Sequence, residues 1–83
     1  MRVEDANTHV VEELQRALVN FPTFHSPHEG LAVLEEEVAE LRRVVHENKK
    51  GTRGFENDTV RRRFTGEAVH CAAMALRCLV DLC

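Results

Sequence analysis

From Asn57 to Cys83 the chain reads as one helix with too much apolar surface for a single neighbour. Phe64, Ala68, Val69, Cys71, Ala72, Ala75, Leu76, Leu79, Val80 and Leu82 spread over an arc far wider than the stripe of a helix packed on one side. Such a helix must be covered on two sides. The sequence has 83 residues, enough for one small domain spanning 1–83, whose own core is modest. It contains no Trp or Tyr, and only four Phe supply large core volume. Oligomerisation is the usual remedy in so small a chain. The expectation is therefore an all-α chain that completes a four-helix-type bundle by homo-oligomerisation.

Two breaks divide the chain into three long helices. The first helix is expected over about Asp5–Asn20, with Val10, Val11, Leu14, Ala17, Leu18 and Phe21 at helical spacing. Pro22 ends it. Ser26-Pro27-His28-Glu29 then opens the second: Ser26 as N-cap, Pro27 at the first helical position, Glu29 completing a capping box. This helix runs to about Asn48, where Lys49 and Lys50 suit a negative helix end and Gly51 stops it. Asn57, Asp58 or Thr59 can cap the third. The second and third helices should form an antiparallel hairpin. No segment reads as a strand.

Charge and composition narrow the function. The net charge is −3, which argues against a nucleic-acid binder. The stretch Ala68–Val80 holds His70 and Arg77 and is too short and polar to span a bilayer. The opening residues MRVEDANTHV lack the apolar core of a signal peptide, so a cytoplasmic setting is expected. Cys71 and Cys78 stand roughly 10 Å apart along one helix, too far to bridge within it. They read as small apolar residues.

Several carboxylates break the amphipathic pattern. Val33, Val44, Leu41, Leu34, Val45, Val38 and Leu31 form one apolar arc on the second helix, and Glu37 falls inside it. A glutamate there costs free energy unless something pairs with it; a salt bridge to an arginine is the plain alternative. Glu36 and Glu40 lie at the arc's edge. On the third helix Glu67 sits beside Cys71, Met74 and Cys78, and His70 follows one turn on, bordering a polar strip of Arg63, Arg77 and Asp81. In an antiparallel hairpin Glu40 and Glu67 stand level, each roughly 12–15 Å from the connecting loop. Carboxylates and an imidazole then converge between two helices. A divalent cation would relieve their repulsion, and facing helices commonly build metal sites this way. A zinc site from His46, His70 and Cys71 is a further idea, though its spacing fits no zinc pattern.

The run Leu34-Glu35-Glu36-Glu37-Val38-Ala39-Glu40-Leu41, followed by Glu67-Ala68-Val69-His70, resembles the E-E-x-x-E … E-x-x-D pattern of the MazG-like all-α nucleotide pyrophosphohydrolases. The resemblance covers about Ser26–Leu82. It implies a homodimer or homotetramer of helical bundles that cleaves a nucleoside triphosphate with water to a monophosphate and pyrophosphate, as in house-cleaning of nucleotides. It implies Mg²⁺, replaceable by Mn²⁺. Carried over, Glu36 and Glu37 would be catalytic, and Glu37, Glu40 and Glu67 would hold metal. His70 stands where the family has an acidic ligand. Imidazole suits Mn²⁺ or Zn²⁺ better than Mg²⁺, so three outcomes stay open: a shifted metal preference, a site resting on three carboxylates, or lost activity. Lys50, Arg53 and Arg61, with Lys49, Arg62 and Arg63 nearby, could meet the leaving pyrophosphate or simply solvate a loop. Phe21 and Phe24 could flank a base or belong to the core. The competing class is a non-catalytic helical interaction protein that keeps the acidic cluster as a relic.

Overall fold

The computed structural model describes residues 1–49 and 54–83. Three helices follow in order: α1 over Val3–Asn20, α2 over Pro27–Glu47 and α3 over Asp58–Leu82. Among the described residues there is no strand. No described helix is long and apolar enough to cross a membrane. The helix starts follow local chemistry. The Ser26 hydroxyl accepts the Glu29 N–H at 3.1 Å, with Pro27 at the first helical turn. Of the three candidate caps on α3, Asn57 fills the role, its Oδ1 accepting from the Val60 N–H at 2.9 Å. Helix α1 begins at Val3, two residues before the expected Asp5. Asn48 ties the two described ends of the α2–α3 loop, donating to the Gly54 carbonyl and accepting from the Glu56 N–H.

Helices α2 and α3 pack closely, and their contacts run in opposite order. Glu47 pairs with Arg63, Glu37 faces Glu67 and His70, and Gly30 meets Cys78 and Leu82. The hairpin is therefore antiparallel. Gly30 sits so close that an added Cβ would lie 2.9 Å from the Cys78 Sγ, which is why the helix lacks a side chain there. Helix α1 packs on another side of α3 and runs parallel to it: Glu13 reaches His70, and the Ala17 carbonyl reaches Arg77.

The core is small: Leu14, Ala17, Phe24, Val44, Val60 and Ala73. Arg77 corrects the sequence reading. It was expected on a polar strip but is 1 % exposed, the largest fully buried side chain of the described residues. Its Nη1 donates to the Ala17 carbonyl, its Nη2 to the Phe21 and Pro22 carbonyls, and its Nε to the Asp81 carboxylate, all at 2.8–2.9 Å. Helix α1 has no basic residue in its last turn. Arg77 supplies that positive charge from α3 and caps the helix end in space. The Phe24 N–H completes the knot by donating to Asp81 at 3.0 Å. Together with that arginine, this contact holds the Asp81 carboxyl below the ordinary range. The α2 arc also splits. Val44 is buried, but Leu31, Val38 and Val45 are exposed and do not join the core.

Candidate metal centre and adjoining cavity

The hairpin brings Glu37, Glu40, Glu67 and His70 together, with one ligand atom of each lying within 4.8 Å of all the others. The pairs at i, i+3 on each helix point one way, and the antiparallel register sets the two pairs level. His70 sits in the middle. Its Nδ1 is 3.7 Å from a Glu37 oxygen and 3.6 Å from a Glu67 oxygen. These distances are too long for hydrogen bonds. One oxygen of Glu37 and one of Glu67 are thus buried with no hydrogen-bond partner among the described residues. Buried carboxylate oxygens without donors are costly.

The electrostatics follow from this crowding. Burial raises the Glu37 carboxyl above its ordinary range; Glu40 and Glu67 push it further, and His70 partly opposes them. The Cys71 thiol is also raised, first by burial and then by Glu37, Glu67 and Glu40. The facing stretches of α2 and α3 therefore hold a local excess of negative charge.

Helix α1 adds a carboxylate that the sequence did not announce. Glu13 lies 3.5 Å from the other ring nitrogen of His70. Arg16 forks onto Glu13 through Nε and Nη2. That hydrogen bonding is the main reason its carboxyl stays below the ordinary range, against the effect of burial. Nothing in the first helix's spacing singles out Glu13, because an i, i+3 acid–base pair on a polar face is common. Only the packing of α1 beside His70 gives it a role.

A cavity of about 530 Å³ adjoins the cluster. Helix α3 forms its floor through His70, Met74 and Arg77; Glu13, Arg16 and Phe21 line one wall, and Glu29, Val33 and Glu37 the other. Phe24 is buried at its end, whereas Phe21 is 56 % exposed at its rim. One end is acidic and the remainder largely apolar. Arg16, Glu29 and Arg77 are the charged groups of the lining beyond Glu13 and Glu37.

Other candidates lie elsewhere. Glu36 is exposed and does not join the four clustered residues. Arg61 is exposed and engaged with Asp58, outside the residues that line the cavity. Arg63 pairs with Glu47. Lys50 and Arg53 fall outside the described residues. His46 is exposed and belongs to no metal-capable group among the described residues. Compared with known proteins, the chain matches no family model, no curated protein and no solved structure.

Proposed function

We propose that this chain is a divalent-cation-dependent nucleoside triphosphate pyrophosphohydrolase, acting as a homo-oligomer on free nucleotides in the cytoplasm. The observation that carries the reading is the pair of donorless buried oxygens on Glu37 and Glu67, in a cluster whose Glu37 and His70 also line a cavity of about 530 Å³. The donor set fits a cation. Oxygens on opposite sides of an ion with bonds of about 2.1–2.4 Å stand about 4.2–4.8 Å apart, the scale of the cluster. Glu37, Glu40 and Glu67 would hold Mg²⁺ through oxygen, and His70 tilts the preference toward Mn²⁺. When bound, the ion neutralises phosphate charge and lowers the pKa of a coordinated water.

The chain's own residues supply the rest. In the hydrolysis, the anhydride between the α and β phosphates breaks, water oxygen joins phosphorus, and the bridging oxygen leaves on pyrophosphate. A carboxylate must accept the water's proton. Glu37, which lines the cavity, is the first candidate for that role, with Glu36 as the second. The apolar walls around Phe21 and Phe24 suit a base, and Arg16 is the cation best placed in the cavity to meet phosphate oxygens.

A second reading rests on one observation. His70 already touches Glu13, Glu37 and Glu67, so a protonated imidazole could offset the cluster's charge in a protein that only assembles. Incubation with a panel of nucleoside triphosphates plus Mg²⁺ or Mn²⁺, with products resolved by phosphorus NMR, separates the two. Monophosphate and pyrophosphate in equal amounts, abolished in Glu37→Gln, support the enzyme. No turnover of any nucleotide leaves the interaction protein.

A further inference from the structure

We infer that α2 carries a self-complementary docking face, and that its partner is a second copy of this chain with the two α2 helices side by side and antiparallel. The inference deepens the homo-oligomer part of the reading above and is independent of the chemistry. Leu31, Leu34, Val38, Leu41 and Val45 recur at alternating spacings of three and four residues, the a and d positions of a heptad. None of the five is buried, and Leu31, Val38 and Val45 are 52 %, 39 % and 49 % exposed. By the pitch of an α-helix this row lies roughly 90° around α2 from the line of Gly30, Glu37 and Val44 that meets α3. Glu29 and Val33, which face the cavity, lie on the opposite side of that line. The docking face and the cavity therefore look away from each other.

Charge fixes the occupant and its direction. Glu35 and Arg42 flank the row on its outer side, one heptad apart. Both are exposed, and neither has an ion-pair partner among the described residues. Laid antiparallel on a copy of itself, Leu34 meets Val45 of the partner subunit and Val38 meets Leu41 of the partner subunit. In that register Glu35 and Arg42 of the partner subunit fall between the same two layers, and the two-fold axis repeats the pair. A parallel dimer would instead set Arg42 against the residue at Glu37, which is turned into the His70 cluster. The same side of the hairpin continues onto α3 through the exposed Ala72 and Ala75 and Leu79, 60 % exposed. The row on α2 is thus apolar along its length, and the charges that flank it are ones the copies complement.

Sedimentation equilibrium of the full chain tests this with Glu35→Arg, Arg42→Glu and the double swap. All three changes lie on the solvent side of a formed helix, so circular dichroism should be unaltered. The wild type should be a dimer or a multiple of one. Each single reversal places like charges at two symmetric positions and should weaken dimerisation about tenfold or more, and the double swap should restore it to within about threefold. A monomeric wild type would overturn both this inference and the homo-oligomer reading. A dimer indifferent to both single reversals would overturn this face alone and leave the enzyme reading untouched.

Discussion

Replacing Arg77 with Met should remove a large share of the protein's stability, although the residue was expected on a polar strip. Three of its four hydrogen bonds go to main-chain carbonyls at the end of α1 and the turn after it. A hydrogen bond to a charged group contributes about 1.5–3 kcal/mol. Phe21 and Pro22 are exposed residues, so water can recover part of the loss at their carbonyls. Ala17 is 1 % exposed, but its carbonyl keeps the Phe21 N–H at 2.9 Å. The net loss is therefore smaller than the sum, about 3–5 kcal/mol, as for other broken buried charge networks. At about 0.05–0.15 kcal/mol per residue, a chain of this length has only about 4–12 kcal/mol in all. The melting temperature should fall by more than about 12 °C. Urea unfolding followed by far-ultraviolet circular dichroism measures it. Arg77→Lys keeps the charge but cannot span Asp81, Ala17 and the turn together, and should fall between wild type and Arg77→Met. A change below about 1 kcal/mol at constant m-value would refute the claim that this arginine holds α1 to α3.

The remaining predictions concern the cluster. Glu37 has a raised folded-state pKa, so between its ordinary value of 4.5 and that raised value the folded protein holds a proton the unfolded chain has lost. Stability without metal should therefore fall as pH rises through this window. Glu37→Gln should remove that part of the slope, melt no lower than wild type above the window, and lose stabilisation by Mn²⁺. Glu13 and Asp81, both lowered, act in the opposite sense and only below 4.5 and 3.8 respectively, so acid unfolding is a separate limb of the same melting series. His70→Asp should raise Mg²⁺ affinity relative to Mn²⁺ in titration calorimetry, because it restores an all-oxygen donor set; an unchanged ratio would remove His70 from the site. Cys71 should react with iodoacetamide more slowly than exposed Cys83, since burial and the carboxylates oppose its thiolate. Mn²⁺ should speed that reaction by neutralising the carboxylates, as read by peptide mass spectrometry, and an unaltered rate would place the ion elsewhere.

Local chemistry determined much of this protein from the sequence. Ser26 and Pro27 started α2, Asn57 was among three possible caps for α3, and helical periodicity left no room for strands, because these choices are made within four residues of chain. The level placement of Glu37, Glu40, Glu67 and His70 was also legible. It needs only a fixed rise per residue and an antiparallel hairpin. What lay beyond reach was decided between elements far apart in sequence. Glu13 reads as an ordinary surface acid until α1 packs beside His70. Arg77 reads as a surface base until its guanidinium meets three carbonyls of a chain segment more than fifty residues earlier. The α2 arc looked like one core face. Which half turned inward was settled by where α3 could approach, and α3 approaches at Gly30, where no side chain keeps it away. A helix's periodicity states which residues share a side, but the neighbour that covers that side is chosen by packing and by the pairing of buried charge, and neither is local.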